Sequence, residues 1–359
     1  MNCDQTRLLQ TVWIGFLALI STVTASSAET PATSPVVATH YFYWYRWPDQ
    51  HFNQPGAPGR EGHYHHLPRP EEVRYENADW HAREFAAMHR AGIDVALPVY
   101  WGAPGAYEKP DIRFSRAGLA PMVRALRSLG ASGVKLGLFY DTTTLKNGVR
   151  GIEPPEERAD LTTAAGKDLF SNTIIEYFGQ IPPDLWGRIE GRPLVVLYVS
   201  AFAAKWDADL GDELATRFEA RFPGERPFLV ADASWHQIGQ DRTTAWGAAL
   251  WGPQLFPGVA QIGAGYNDTP VPGRTSPIRD REDGDFYRHS WRAALAHRPQ
   301  LVLLETWNEM HEGTEICETI ETGSEYLDLT AEWIGKLRRG EAPGAEIPLE
   351  SPQPREREK

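Results

Sequence analysis

Cysteine is nearly absent from this sequence, with Cys3 and Cys317 the only two among 359 residues. Residues 1–28 have the order of a secretory signal peptide: a basic residue, the short apolar run VWIGFLALI (12–20), then small residues up to Ala28. Cleavage near Ala28 would leave Cys317 as the only thiol, which excludes an intramolecular disulfide. We therefore expect an exported protein, secreted or periplasmic, that is stabilised by its core.

Long hydrophobic runs and excess positive charge are also lacking. The run at 12–20 is shorter than the ~20 residues of a membrane-spanning helix, so no span is expected once the signal is removed. An uncleaved N-terminal anchor is the alternative. Acidic residues outnumber basic ones by 48 to 36, for a net charge of −12. Binding to nucleic acid or anionic membranes needs basic patches, so neither partner is expected.

Several familiar chemical motifs are missing. No G-x-G-x-x-G turn follows the first predicted strand, which counts against a doubly wound dinucleotide-binding sheet. No G-x-S-x-G elbow is present, and Cys317 lacks the surroundings of a nucleophile. The segment HYHH (63–66) has metal-ligand chemistry, but it lies in a Pro/Gly-rich loop without a matching set of histidines and acids on a strand end. We expect no metal and no other cofactor.

Eight apolar, β-rich runs recur along the chain, several of them continuously apolar like parallel strands that are covered on both faces. Helical patterns fill most of the intervals. The alternation predicts an α/β fold: a single-domain (β/α)8 TIM barrel over 29–340, followed by a disordered tail at 341–359. The interval after the sixth run is too short for a helix, so that unit is degenerate or one strand is miscounted. The predicted strands are 36–45, 93–101, 134–141, 193–200, 227–234, 246–252, 259–267 and 301–309.

Aromatic and acidic side chains end most of these runs, and the C-terminal strand ends of a barrel meet at one mouth. Few lysines or arginines occur there, which suits a neutral carbohydrate: rings offer stacking surface and carboxylates accept hydroxyl hydrogen bonds. Two long segments, 46–75 and 267–284, also follow strand ends and are expected to be functional loops. The residues predicted to bind a carbohydrate substrate are Tyr43, Tyr45, Tyr100, Asp141, Asp232, Tyr266, Trp307 and His311.

The last run leads into the acidic stretch ETWNEMHEGTEICE (305–318). Strand alternation predicts that Glu305, Trp307 and Glu309 face the barrel interior, with Glu305 deepest as a buried support. Glu309 and Glu312 are three residues apart, which on a turn allows about 5–6 Å between side chains. Two carboxylates this close shift each other's pKa, so one can act as an acid and the other as a base, as glycoside hydrolysis requires. A solvated acidic loop is the alternative from the residues alone.

The stretch WNEMHEGTEI (307–316) resembles the N-E-W-H-E-G-T-x-I motif of glycoside hydrolase family 99, the endo-α-mannosidases and endo-α-mannanases. Family 71 α-1,3-glucanases have a comparable pair of acids. The segments GLFYDTTTL, ADASW, WGAAL and ETWNEMHEGTEI together are similar to exported bacterial proteins of a domain of unknown function (number 5010), relatives of those hydrolases. The resemblance covers residues 40–330 and implies a (β/α)8 hydrolase of O-glycosyl bonds.

Roles for the two acids follow from this resemblance. Carried over from family 99, Glu309 is the general base on the 2-hydroxyl of the sugar, giving a 1,2-anhydro intermediate with net retention, and Glu312 is the general acid. In the family 71 pattern the same pair works with inversion. Met310 stands where the motif has Trp, so the mannan substrate is not carried over with the motif. Trp307 is the candidate to replace the missing ring.

Two other functions stay open at this stage. One is a non-catalytic carbohydrate-binding barrel that uses the same aromatic mouth, which would retain a glycan without releasing product. The other is a metal-dependent hydrolase acting through His63, His65 and His66, which chelators would inactivate.

Overall fold

The computed structural model describes residues 34–48, 51–52, 62–102, 113–130, 133–147, 158–345 and 351–353. The predicted signal peptide (1–28) lies outside these residues. The predicted disordered tail is described only at 341–345 and 351–353, where Gln353 exchanges two backbone hydrogen bonds with Ile278. The rest of that prediction lies outside the described residues.

Eight parallel strands form a nearly closed barrel, which confirms the predicted (β/α)8 class. Backbone ladders connect the strands in the circular order β6-β5-β4-β3-β2-β1-β8-β7. The described residues show no ladder between β6 and β7, where a side-chain hydrogen bond from Thr244 Oγ1 to Gln261 Oε1 (2.5 Å) crosses instead. The strands are β1 Val36–Tyr41, β2 Val95–Tyr100, β3 Leu138–Tyr140, β4 Arg192–Leu197, β5 Phe228–Asp232, β6 Arg242–Thr244, β7 Val259–Gly263 and β8 Leu301–Glu305.

Seven barrel strands are buried on both faces, as their continuous apolar runs predicted, whereas β6 is only partly buried. Every residue of β2, β5, β7 and β8 is buried. Short strands accompany the barrel: Lys135–Leu136 pairs with β2, Arg188–Ile189 with β4 and Gln254–Phe256 with β7, while Ala159–Asp160 pairs with Ala203–Lys205.

The six longer helices, α1, α3, α5, α6, α8 and α9, fall where helical patterns predicted them, whereas the short helices α2, α4 and α7 were not predicted. Helix α1 begins after Asn77, whose side chain accepts a hydrogen bond from Asp79 N (3.0 Å), and α5 begins after Thr163, which accepts one from Gly166 N (3.1 Å). Within the described ranges, none of the helices is long and apolar enough to cross a membrane. They are α1 Ala78–Arg90, α2 Arg113–Ala117, α3 Leu119–Leu129, α4 Thr144–Asn147, α5 Ala164–Gly179, α6 Leu210–Arg221, α7 Ala248–Trp251, α8 Asp285–His297 and α9 Glu325–Arg338.

The prediction of a strand at 246–252 is wrong. That segment contains the helical turn α7, and the sixth strand is β6, at Arg242–Thr244. Gly247 and Gly252 bracket the turn with positive φ angles of 104° and 97°, which end extended chain on both sides. The turn packs so closely on β7 that a Cβ at Gly263 would lie 2.5 Å from Ala249 Cα. Burial of a helical turn produced the apolar run, and a short apolar run does not distinguish strand from buried helix.

Candidate active site

A cavity of about 390 Å³ lies among residues at and beyond the C-terminal ends of the strands, the face on which barrel active sites are built. Its size falls in the range of roughly 300–1,000 Å³ typical of small-molecule sites. Aromatic and acidic side chains predominate in its wall. The lining residues are Phe42, Trp44, His51, Trp101, Phe139, Asp141, Thr143, Tyr198, Trp246, Val271, Arg274, Glu309, His311 and Glu312.

Four of the ten site residues predicted from the sequence lie in this wall. They include both proposed catalytic acids, Glu309 and Glu312, together with Asp141 and His311. Three come from the turn that follows β8, and Asp141 directly follows β3. The acidic stretch is therefore a folded part of the cavity wall rather than a solvated loop, since Glu309 is only 3% exposed.

Glu309 is a buried carboxyl group with one satisfied and one unsatisfied oxygen. Its Oε1 accepts a hydrogen bond from His311 N (3.0 Å) and lies 2.8 Å from His311 Nδ1. Its Oε2 has no hydrogen-bond partner among the described residues. Burial raises the pKa of Glu309 to about 8, and the main-chain N–H of His311 and the positive charge of Arg274 oppose this rise. An unsatisfied buried oxygen on a cavity wall is available to a ligand hydroxyl.

Glu312 forms an ion pair with Arg274, from Oε1 to Nη1. Burial, followed by the neighbouring Glu309, raises the pKa of Glu312, while Arg274 acts in the opposite direction. Arg274 lies between β7 and α8 in the long segment 267–284, and its Nη1 is also 3.3 Å from Tyr266 Oη. Sequence reasoning missed Arg274, because the length of that loop indicated function without indicating a residue.

Asp141, which directly follows β3, is held in place by two hydrogen bonds. Trp101 Nε1 donates to its Oδ2 (2.6 Å), and Thr143 N donates to its Oδ1 (3.1 Å). Burial raises the pKa of Asp141. The carboxylate is thereby oriented in the cavity wall as a fixed acceptor.

Two stacked aromatic pairs form flat surfaces in the wall. Trp246 stacks on Phe139 with ring centroids 5.3 Å apart and an interplanar angle of 11°. Trp44 stacks on His51 at 4.5 Å and 8°. Rings of this kind offer apolar faces on which a sugar ring can lie.

The segment after β1 presents to the cavity the face opposite to the one that was predicted. Phe42 and Trp44 line the cavity, whereas Tyr43 and Tyr45 are fully buried elsewhere. Tyr43 Oη donates to Ser115 O (2.6 Å), and Tyr45 Oη donates to Asn308 O (2.8 Å). Both tyrosines were predicted to bind substrate, and the structure places them in supporting contacts instead. Every second residue of this segment lines the cavity, as alternation predicted, but these residues are Phe42 and Trp44 and not the two tyrosines.

Three further predicted binding residues lie outside the cavity wall. Tyr100 is fully buried. Asp232 accepts hydrogen bonds from Trp246 N (2.8 Å) and Ser234, so it positions a cavity tryptophan. Tyr266 donates to Asp268 Oδ2 (3.0 Å) beside Arg274 and lines a neighbouring cavity. Their connection to the site is indirect.

Trp307 also lies outside the wall, because strand alternation does not continue beyond β8. Its Nε1 donates to Glu84 Oε2 (2.6 Å) on α1, so its side chain is directed toward that helix. Met310 is fully buried and does not line the cavity. Having Met310 where the family 99 motif has Trp therefore takes no aromatic ring away from the cavity wall. Trp307 does not supply a ring to the wall either. Glu305 is the predicted buried support and accepts hydrogen bonds from Gly247 N and Gln261 Nε2.

The histidines at 63–66 have three different partners. His63 Nε2 donates to His51 O (2.6 Å), His65 Nδ1 lies 2.5 Å from Glu315, and His66 Nδ1 lies 2.6 Å from Glu321. Across the described part of the chain, no group of three or more His, Cys, Asp or Glu side chains is arranged to hold a metal ion. The contacts of His65 and His66 attach the loop after β1 to the segment after β8, whereas the contact of His63 lies within that loop.

Comparison with known proteins identifies relatives at two levels. The family model described as "Domain of unknown function (DUF5010)" matches residues 18–341. A glycoprotein endo-alpha-1,2-mannosidase of Mus musculus is 31% identical over 96 residues, which are 23% of this chain and 21% of that protein. A glycoprotein endo-alpha-1,2-mannosidase-like protein of Homo sapiens is 33% identical over 90 residues, 21% of this chain and 20% of that one. The chain thus spans about a fifth of the length of the curated relatives it matches.

Solved structures show the same fold at lower identity. The GH99 endo-alpha-mannosidase from Bacteroides thetaiotaomicron has a TM-score of 0.61 at 17% identity, covering 85% of this chain and 98% of that one. The same kind of enzyme in complex with bis-tris-propane has a TM-score of 0.62 at 16% identity, covering 84% and 97%. The sequence-based resemblance and the barrel fold are both confirmed.

Proposed function

We propose that this chain, which belongs to the family described as Domain of unknown function (DUF5010), is a glycoside hydrolase. The chain has the fold of the GH99 endo-alpha-mannosidases. It cleaves O-glycosyl bonds in an oligosaccharide or polysaccharide, with Glu309 and Glu312 as the catalytic pair. One observation carries the proposal: two largely buried carboxyl groups, three residues apart, line one aromatic cavity at the mouth of the barrel.

Glu309 is the proposed general base. Its unpartnered Oε2 accepts a hydrogen bond from a sugar hydroxyl, and the raised pKa makes the ionised form a stronger base than an exposed glutamate. By analogy with family 99, the hydroxyl is the 2-OH of the sugar. Its proton passes to Oε2 while the 2-oxygen forms a bond to the anomeric carbon and the bond to the leaving oxygen breaks. Water then adds to the anomeric carbon and opens the 1,2-anhydro sugar, and the proton held by Glu309 returns to the 2-oxygen.

Glu312 is the proposed general acid. Burial and the nearby Glu309 raise its pKa, which favours the protonated form that protonates the leaving oxygen. Arg274 fixes the carboxyl group at the wall and limits the rise in its pKa. The same residue then removes a proton from the water that opens the anhydro sugar.

We propose α-mannosides as the first substrates to test, since relatives and fold neighbours are named endo-α-mannosidases. The buried position of Met310 removes the sequence-based argument against this class, because its side chain does not line the cavity. The stacked pairs Trp246–Phe139 and Trp44–His51 supply surfaces for sugar rings. Asp141 supplies a fixed acceptor for a hydroxyl group.

A glycan panel with anomer-resolved product analysis tests this function. Glu309→Gln and Glu312→Gln are each expected to lower kcat by at least ~10², since acid–base groups typically contribute 10²–10⁴. The matched control is Glu318→Gln, an exposed acid of the same stretch, which should retain activity. Near-normal turnover in either active-site variant contradicts the assignment. Tight glycan binding without product in the unmodified protein identifies a non-catalytic binding barrel instead.

We also propose that the protein is exported, as the order of residues 1–28 indicates. Expression in a Gram-negative host should yield a periplasmic protein whose mass corresponds to cleavage near Ala28. A full-length mass in the membrane fraction would instead indicate a retained anchor.

A further inference from the structure

His311 connects the proposed base to the loop that follows β1. Its Nδ1 lies 2.8 Å from Glu309 Oε1, and its Nε2 lies 3.0 Å from the main-chain oxygen of His51. A carbonyl oxygen only accepts hydrogen bonds, so Nε2 must be the nitrogen that donates. His63 Nε2 donates to the same oxygen (2.6 Å), which uses its second lone pair. The His51 carbonyl therefore fixes the tautomer of His311.

The remaining nitrogen of His311 is then an acceptor. The ring is buried, and burial lowers the pKa of His311 to about 4, so it is neutral at neutral pH. A neutral imidazole carries one N–H, and in His311 that hydrogen is on Nε2. An ionised Glu309 would place a second acceptor 2.8 Å from Nδ1, with no hydrogen between them. The contact is a hydrogen bond only if the carboxyl group supplies the proton.

We propose that Glu309 is a neutral carboxylic acid in the ligand-free protein, that its Oε1–H donates to Nδ1 of His311, and that His311 is a positioning residue controlling the charge of Glu309. The hydrogen bond also leaves Oε2, the unprotonated oxygen, without a partner among the described residues. The consequence for catalysis rests on the proposed function, whereas the position of the proton does not.

The charges around the pair are compatible with this assignment. Burial raises the pKa of Glu309 to about 8, which keeps it protonated at neutral pH. The ionisable groups that act on Glu309 are Asp141, Arg274, Glu312 and Glu315, and Tyr45 lies close to it. Those that act on His311 or face its ring are His51, His63, Arg274, Glu312 and Tyr45. Arg274 is the only one of these that opposes protonation of both members.

The direction of the pH effect follows from the hydrogen bond. An acceptor for the Oε1–H stabilises the neutral acid, so it raises the pKa of Glu309. Below that pKa the proposed base is blocked by its own proton, and above it the base is available. Removing the acceptor should lower the pKa by about one unit, the size expected for one buried hydrogen bond. By raising the pKa of Glu309, His311 lowers the fraction of Glu309 that is ionised and makes the ionised form a stronger base.

Nitrogen NMR of the unmodified, ligand-free protein tests the tautomer directly. With ¹⁵N-histidine labelling at pH 7, His311 should show a protonated Nε2 and an unprotonated Nδ1. Its signals are assigned by their loss in His311→Gln. A protonated Nδ1, in either the other tautomer or the imidazolium ion, overturns the proposal. This experiment needs no substrate and no folded variant beyond the one used for assignment.

A matched pair of variants tests the effect on Glu309. His311→Gln places an amide near Nε2 and keeps a donor to the His51 carbonyl, but it offers no acceptor to Glu309. His311→Asn places an oxygen near Nδ1 and retains that acceptor. The pH midpoint of the Glu309 Cδ resonance, assigned with Glu309→Gln, should fall by about one unit in His311→Gln and stay near the wild-type value in His311→Asn.

Identical midpoints in the wild type and His311→Gln overturn the proposal. A protein that cleaves no glycan but gives the expected NMR results disproves the hydrolase function and leaves the position of the proton supported. Turnover together with a protonated Nδ1 gives the opposite result, in which the function stands and this inference fails.

Discussion

Two buried glutamates at the end of β8 differ in how their oxygens are satisfied. Glu305 accepts hydrogen bonds from Gly247 N (3.0 Å), Ala248 N (2.8 Å) and Gln261 Nε2 (2.9 Å). Burial raises its pKa to about 7 despite these donors. Glu309 has one oxygen without a partner and a higher pKa, about 8. Glu305 is thus satisfied by donors of the fold, whereas Glu309 keeps an unpartnered oxygen for the role proposed for it in catalysis.

The raised pKa of Glu309 makes a prediction about stability. Its folded pKa of about 8 exceeds the reference value of 4.5, so the stabilisation by the bound proton is complete below pH 4.5 and is lost as pH rises toward 8. Glu309→Gln has no such proton to lose. Urea unfolding should therefore show the variant gaining stability relative to wild type between pH 4 and pH 9, by a few kcal/mol at about 1.4 per pKa unit. A difference that does not change with pH would contradict the buried, raised pKa.

At the level of single residues, the positions of the acids were easier to predict than those of the aromatics. Glu309, Glu312 and Asp141 were expected at the barrel mouth and line the cavity there, because acids after apolar runs are conspicuous and strand ends converge in a barrel. Tyr43 and Tyr45 were chosen over Phe42 and Trp44, since all four residues are aromatic and hydropathy cannot set the phase of alternation. No pattern in the sequence indicated that Arg274 would lie in the cavity wall.

The turn after β8 is the element on which the proposed catalytic pair depends. Gly313 has a φ of 58°, and a Cβ there would lie 2.7 Å from the ring of Tyr64 and 3.2 Å from Asn267 O. Tyr64 N donates to Met310 O (2.7 Å), so the loop after β1 packs against this turn. Asn267 N donates to Glu312 O (2.7 Å). Two loops thus hold the turn that carries both acids.

Two glycines with nearly equal backbone angles allow the importance of this packing to be measured. Gly313→Ala and Gly323→Ala introduce a side chain at φ angles of 58° and 55°, so both should lose about 1 kcal/mol of stability. Only the Cβ at Gly313 meets neighbouring atoms, since nothing lies within 4 Å of the one at Gly323. We expect turnover to fall at least ~10-fold in Gly313→Ala alone, because small misplacements of catalytic groups are costly. Equal activity in the two variants would show that the turn tolerates displacement.

At the level of elements, the six longer helices were predictable, because their apolar periodicity extends over several turns and their ends have recognisable residues. The unit between β6 and β7 was not. Its helical turn α7 has four residues, too few to show a period, and β6 has three residues, two of them threonines, with no apolar run. Short elements are specified by their neighbours rather than by their own sequence.

The barrel as a whole is closed at β6 and β7 by a chain of polar side chains. Thr244 Oγ1 donates to Gln261 Oε1 (2.5 Å), and Gln261 Nε2 donates to Glu305 Oε2 (2.9 Å). All three side chains are buried. These hydrogen bonds connect β6, which has no ladder to β7 among the described residues, with β7 and β8, and they end on the buried Glu305.

A double-mutant cycle tests this closure. Gln261→Leu deprives Thr244 and Glu305 of partners and should cost about 1–3 kcal/mol, and Thr244→Val should cost about 1 kcal/mol. Because both changes break the same chain, the double variant should be more stable than the sum predicts by at least ~0.5 kcal/mol. Thr243→Val, at the neighbouring and less buried position of β6, is the control and should have little effect. Additive costs measured by urea unfolding would contradict a connected chain.

For the whole molecule, the barrel was predictable because seven of its eight parallel strands are buried and leave apolar runs in the sequence. The contacts that adjust the site were not, since they join residues far apart in the chain. Arg274 reaches Glu312 across 38 positions, and His311 reaches His51 across 260. Such pairings depend on loop conformations that local patterns do not encode.

The oxygen that fixes the tautomer of His311 belongs to the main chain. Substitution at position 51 therefore changes the ring that stacks on Trp44 without removing the acceptor, whereas a deletion between Trp44 and Tyr64 moves the oxygen itself. Among relatives that have this hydrogen bond, the length of the loop should be kept even where its residues diverge. Insertions and deletions in this loop, rather than substitutions, are therefore the changes that would release the tautomer of the histidine and so alter the protonation of the neighbouring glutamate.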